Sequence, residues 1–510
     1  MSLALIDYIV FLIFVGVITF IIVKSLISKT TADSFYKGGG NTHWAIIGMS
    51  LIAADVSIGY IIGSAGVGFE KGLAVGSYGW TASVFMIIMA LYILPKFMRL
   101  EILTLPQYLE MRYNQYIRLV VAIIMLLLNI VGLSSMFYSS AILIFKTFAI
   151  DKSLFYYLIW GAGILTSGII LTGGLKNIFK VDLILSFLIL AGGFIVTIFC
   201  FIKIGGFENF MLKSENKVQS MLPHDDNFLP WTQVLFGSLW LLHINYWAFN
   251  QSIVQKVLVA NSLSQAQLGM LFAASVKIII PFLFVVPGII GFELFGDSIE
   301  KSDYVFPMLL NEVVPAGLKG FVLVALSGSI IGVTNAILNA SSTIFAYDIF
   351  KRFIKPESDN ETMIAVSRAA IALTVILACL IAPVLDNYEH IFTFSQMIRS
   401  MVAPAILGIF LLGLFSYRTP VPAAVIALCM AVPVFLLLKN YFPDYPNANI
   451  LGMGFLIIGA VMLVIRYTMP LQAPLVLAGK KNIRFERNLV VVVWSVFILS
   501  LLASVYIVFL

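Results

Sequence analysis

Asp55 lies in the middle of an apolar stretch, 43-67, within the run Ala53-Ala54-Asp55-Val56-Ser57-Ile58-Gly59. A carboxylate at that depth must be paired, hydrated or protonated, so it marks a polar pathway rather than a lipid-facing position. Three roles suit it: ligand for a cation, acceptor of a proton, or structural partner for Arg399, Lys277 or free helix-end N–H groups. A second polar run holds His243, Asn245 and Asn250 among Trp240, Tyr246 and Trp247. The chain has four histidines, His43, His224, His243 and His390, and none has metal-ligand spacing. No catalytic constellation stands out either, so the sequence reads as a non-enzyme that needs no cofactor.

The elements that hold these groups are membrane-spanning helices. Hydrophobic residues make up 61% of 510 and charged residues 11%, with mean hydropathy +1.03, which excludes an ordinary water-soluble globule. A span needs about 20 apolar residues. Fourteen candidates meet that length, near 5-27, 43-68, 73-95, 119-148, 154-174, 181-204, 231-254, 269-295, 317-350, 362-385, 389-416, 420-440, 449-470 and 488-510. The fold class is therefore an all-α polytopic membrane protein, with residues 1-510 as a single transmembrane domain. The longest hydrophilic connections, near 205-230, 296-316 and 471-487, are too short for independent cores. Cys200, Cys379 and Cys429 all fall in apolar segments and read as packing residues.

Lysine and arginine set the orientation, because retained cytoplasmic loops carry positive charge. Odd-numbered connections hold nineteen such residues and even-numbered ones about nine, so the odd loops face the cytoplasm and both termini lie outside. The pI near 9.0 then reports topology, with no nucleic acid implied. The first apolar run lacks a basic leader and reads as a retained helix. The expected setting is a bacterial inner membrane, with the lipid bilayer and a small-molecule solute as partners.

Two helices look internally broken. The second carries Ser57, Gly59, Gly63, Ser64, Gly66 and Gly68, and the seventh carries the His243 to Asn250 run. They lie five spans apart, which suits opposed copies of a five-helix unit over 43-204 and 231-416. An additional helix, 5-27, and C-terminal helices, 420-510, flank this core. Gly63, Gly66 and Gly68 read as a packing seam, and Asn335 and Asn339 as interhelical hydrogen-bond partners.

Four strings carry a resemblance. They are Thr104-Leu105-Pro106-Gln107-Tyr108-Leu109-Glu110-Met111-Arg112-Tyr113; Gly173-Gly174-Leu175-Lys176 leading to Asp182; Asn245-Tyr246-Trp247-Ala248-Phe249-Asn250-Gln251 followed by Gln255-Lys256; and Ser341-Ser342-Thr343-Ile344-Phe345 before Asp348. Together they resemble the sodium/solute symporter family, closest in pattern to its bacterial sodium/galactose branch. The resemblance implies a leucine-transporter-type core of inverted five-helix repeats that alternates access around a midplane site. It implies secondary active transport of a small polar organic solute, with Na+ as coupling ion. A proton-coupled or ion-independent transporter of the same fold, or a non-transporting solute sensor, remains the alternative.

Carried over position by position, the family's sodium ligands fall on the carbonyls of Ala53, Val56 and Ser329. Where the family has paired hydroxyls, this chain has Gly332-Val333, which offer no side-chain oxygen. Asp55 and Asp182 are the remaining coupling-ion candidates, for Na+ or H+. In the solute site, the resemblance implies Lys277, Gln396 and Tyr246, while Tyr60, Gly79, Ala82 and His243 replace the sugar branch's other polar ligands. Lys277, Arg399, His243, Gln396, Tyr60 and Tyr246 form a set rich in donors and positive charge. Arginine pairs carboxylates bidentately, so an anionic or zwitterionic solute such as a sugar acid fits better than a neutral sugar. Lys277 also has the choice of snorkelling or pairing with Asp182, and Arg399 of facing a packed interface.

Overall fold

Apolar runs become helices in lipid because each backbone N–H and C=O must find its partner within the segment. The computed structural model describes residues 3–27, 31–38, 42–148, 151–224, 229–387, 391–443, 445–477, 479 and 488–509. Among them the regular structure is helical, apart from one isolated bridge between Leu222 and Pro230. The helices that matter here are α1 (Leu5–Ile27), α2 (Trp44–Asp55), α3 (Ile58–Lys71), α4 (Leu73–Leu100), α5 (Leu105–Arg112), α6 (Gln115–Phe148) and α7 (Phe155–Ile204). They continue as α8 (Leu239–Phe249), α9 (Gln251–Leu258), α10 (Leu263–Phe295), α11 (Leu318–Ile354), α12 (Asn360–Ile381), α13 (Ile391–Phe415), α14 (Val421–Tyr441), α15 (Asn447–Thr468) and α16 (Leu489–Val508).

Ten helices among the described residues are long and apolar enough to cross a membrane, and α2 with α3 forms a further span bent by 66°. Four expected spans take other forms. The fifth and sixth run on as α7, interrupted only at Gly174 (φ 59°, ψ −149°), where a Cβ would lie 2.6 Å from the Phe35 ring. A loop was expected there; one glycine in the left-handed φ range makes the corner instead. The expected seventh span divides into Trp231–Phe236, α8 and α9. Of α1, the stretch Leu5–Val17 counts as a shorter apolar helix.

Helix α10 is the central post. It packs on α2, α3, α4 and α7 and carries α16 on its outside. Helix α11 packs along α7, and α13, α14 and α15 form a mutually packed trio. Close approach of α3 to α10 depends on glycine: a Cβ on Gly288 would sit 2.0 Å from the Ala65 carbonyl oxygen, and one on Gly68 would sit 2.7 Å from the Val285 carbonyl oxygen. The predicted seam is thus half right. Gly66 and Gly68 pack tightly, whereas a Cβ at Gly63 would meet nothing within 4 Å.

Two smaller expectations are corrected. Cys429 is exposed on α14, so only Cys200 and Cys379 are packing residues. The Asn335 amide and the Asn339 Oδ1 are buried without a protein partner among the described residues, so they do not bridge helices in the expected way.

Candidate functional site

Val56 (φ −83°, ψ 86°) leaves the helical region and ends α2, and Ser57 then caps α3. Ser57 N–H donates to the Asp55 carbonyl at 3.0 Å rather than back to Ala53. Tyr60 N–H donates to Ser57 Oγ at 3.1 Å rather than to Val56. The carbonyls of Ala53 and Val56 are therefore left without helical donors, as the break predicts.

The Asp55 carboxylate accepts a hydrogen bond from Lys277 Nζ, reaching across from α10. Both side chains are buried, with 8% and 5% of their surface exposed. The ammonium also lies 4.6 Å from the Tyr60 ring centroid, a cation–π contact that stabilises it in a dry setting. Lys277 therefore pairs with Asp55, and the alternative partner Asp182 is excluded. The Tyr246 phenol, on α8, faces Asp55 and lies within electrostatic range of Arg399. Arg399, on α13, reaches Gly132 of α6 so closely that a Cβ there would stand 3.1 Å from its Nη2. No carboxylate pairs with that guanidinium among the described residues.

His243, on α8, bonds through Nε2 to Thr81 Oγ1 at 2.9 Å. Thr81 donates its single hydroxyl proton to the Ser77 carbonyl at 2.6 Å, so Nε2–H of His243 is the donor and Nδ1 is left as an acceptor. Gly79, where the sugar branch has an acid, faces Pro281 of α10, and a Cβ there would lie 2.8 Å from the proline ring. The Gln396 side chain lies outside the described residues. An apolar cavity of about 160 Å³, lined by Phe85, His243, Trp247, Leu411 and Phe415 among others, adjoins this group.

The ion-site candidates separate. Gly332 of α11 comes so near α2 that a Cβ on it would lie 2.6 Å from the Ala53 carbonyl oxygen. A serine at that position needs the two helices to move apart, which gives the missing hydroxyl a structural reason. Ser329 sits one turn earlier on α11, and its Oγ donates to the Leu326 carbonyl at 2.7 Å. Asp182, expected as an ion ligand, holds the Lys256 ammonium at 2.6 Å and accepts from Ser50 Oγ. Its Oδ1 has no protein partner among the described residues.

Lys256 is the clearest residue that sequence reading misplaced. Counted as a loop charge, it is fully buried on α9 and also donates to the Ser50 carbonyl at 2.9 Å. The signal was its position one helical turn after Ser252, on a short amphipathic helix next to a break. The same helix clamps its neighbours: Gln251 Oε1 accepts from Leu105 N–H at 2.8 Å, and Gln255 Nε2 donates to Thr343 Oγ1 at 2.9 Å. Nearby, Arg118 bridges Glu110 at 2.5 Å and Asp348 at 2.6 Å, and Thr104 Oγ1 donates to Asp348 at 2.8 Å. Arg352 adds a second cation on Glu110 at 2.6 Å. These bonds, with Lys256–Asp182, tie the four family-like strings to one another.

A broken span with freed carbonyls, beside a buried ion pair, is an arrangement that suits a solute carrier. The Sodium:solute symporter family profile matches residues 35–430, and the chain belongs to that family. It is 34% identical to a sodium/glucose cotransporter of Vibrio parahaemolyticus over 86% of each chain. It is 28% identical to sodium/glucose cotransporter 1 of Ovis aries over 78% of this chain and 66% of that one. Its fold matches a Na+-coupled sialic acid symporter with TM-score 0.81 at 20% identity, covering 93% of this chain and 99% of that one. It also matches Mhp1, a nucleobase-cation-symport-1 family transporter, with TM-score 0.53 at 12% identity, over 88% and 98% of the two chains. The protein is thus an integral membrane transporter of the secondary active symporter class, not an enzyme.

Proposed function

We propose that this protein moves a small anionic or zwitterionic organic solute, a sugar acid foremost, by alternating access around the break between α2 and α3. The observation that carries the reading is the buried Asp55–Lys277 pair, with Arg399, which no acid pairs among the described residues, reaching it through Tyr246. Tyr60, Tyr246, His243 and Gln396 complete the solute contacts, and the sugar chemistry of the relatives supports a hydroxyl-bearing solute. The architecture is fourteen spans, with 43-204 and 231-416 as inverted repeats flanked by 5-27 and 420-510. The setting is a bacterial inner membrane with both termini outside.

Sodium is the coupling ion the family favours, with the Ala53 and Val56 carbonyls, the Ser329 carbonyl and Asp55 as its ligands, and Asp182 as a second acidic position. The approach of Gly332 to Ala53 favours a second reading, in which Asp55 carries a proton or no ion is coupled. Uptake into vesicles with sodium and proton gradients imposed separately tests both. We expect a sodium gradient to drive uptake and Asp55→Asn to abolish it. Sodium-driven uptake unchanged in Asp55→Asn removes Asp55 from coupling, and proton-driven uptake selects the second reading. Solute binding without movement makes the protein a sensor.

A further inference from the structure

Arg399 has no answering charge among the described residues. The helices that pack on α13 are α14, α15, α6, α8 and α5. Of these only α5 carries an acid, Glu110, and Arg118 and Arg352 hold it. Asp55, which reaches toward α13 through Tyr246, is held by Lys277. Asp386, near the end of α12, is bonded by Tyr138 Oη at 2.6 Å. The empty site, counted over Asp55, Lys277 and Arg399, therefore carries one net positive charge, and a bound monoanion brings it to zero.

Alternating access requires a state in which the site is closed to water on both sides. An uncompensated charge in that state is disfavoured relative to a neutral one, because low dielectric strengthens every unbalanced interaction. The loaded carrier thus crosses more readily than the empty carrier. Net transport needs the empty carrier to return, whereas exchange does not. A cation bound together with a monoanion restores the charge of the empty site, so exchange needs no cation.

We propose that the protein has an exchange activity, swapping one monoanionic polyhydroxy acid for another across the membrane with Arg399 as the fixed counter-charge. The inference rests on reading the pocket as an anion site. It adds a transport mode to symport.

The purified full-length protein is first screened by thermal shift with gluconate, glucuronate and galacturonate, with glucose and galactose as neutral controls. Stabilisation by neutral sugars only, or by none of the five, overturns the anion pocket and the exchange mode with it. An acid that stabilises is then radiolabelled and offered to proteoliposomes without sodium, with or without the same acid inside, at clamped membrane potential. Internal acid should raise initial uptake about tenfold or more, a barrier difference that an unpaired buried charge readily supplies. The stimulated rate should ignore an imposed potential. A ratio near one with binding intact, or exchange that requires sodium, overturns the exchange mode and leaves the anion pocket standing. Arg399→Lys should keep the stimulation and Arg399→Gln should lose it. If Arg399→Gln does not fold, the wild-type ratio and the lysine variant decide.

Discussion

At the residue scale, the buried pairs are where single substitutions should speak most clearly. Removing one partner of a buried pair leaves an uncompensated charge and costs roughly 3–5 kcal/mol, whereas removing both costs much less. Asp55→Asn and Lys277→Gln should therefore each lower thermal stability sharply in detergent, and the double variant should recover most of the loss. Equal, additive losses would mean that the two groups do not support each other. Glu110 makes a different, pH-dependent contribution outside the spans. Burial acts to raise its pKa, but the hydrogen bonds and charges of Arg118 and Arg352 hold it below the usual carboxylate range. A depressed folded value stabilises above the unfolded pKa, roughly 4.3, and that stabilisation is lost as pH falls through the folded value. Glu110→Gln should be less stable than the parent near neutral pH, with the gap closing below about pH 4. A constant gap from neutral to acid would contradict the assignment. Asp55 was legible in the sequence as an anomaly in an apolar run. The pairings were not, because Asp55 with Lys277 and Asp182 with Lys256 join residues far apart in the chain.

At the element scale, the breaks and the close approaches do different jobs. The break after Asp55 was legible because Ser57 is a strong N-cap in an otherwise apolar run, and Asn250 caps α9 in the same way. The division of the glycines was not legible, since spacing alone cannot say which neighbour a helix face will meet. Gly288→Ala should lower thermal stability markedly, because its Cβ falls 2.0 Å from backbone that cannot yield without moving α3 from α10. Gly63→Ala, with nothing within 4 Å, should fold as the parent does. Comparable melting temperatures for the two variants would remove the seam argument. The Gly332–Ala53 contact follows the same logic and ties a packing distance to an ion site.

At the scale of the whole molecule, the bias of lysine and arginine toward the odd connections carries an orientation that labelling can read. With Cys429 replaced, Glu357→Cys in the connection between α11 and α12 should react only with reagent on the cytoplasmic side. Glu300→Cys, after α10, should react from outside; both positions are exposed. The reverse pattern would invert the topology. The amino-acid sequence by itself determined that the chain is a helical membrane bundle, because lipid admits long apolar runs only as hydrogen-bonded helices. It also marked two of those helices as broken, because polar residues and glycines inside apolar runs are local signals. Only the tertiary structure decided which charge meets which, that Lys256 is buried rather than a loop cation, and that Arg399 stands beside Gly132 with no acid on it among the described residues. The physical reason is range: helix formation and capping act over a few residues, whereas charge compensation in a dry interior depends on helices brought together from opposite halves of the chain.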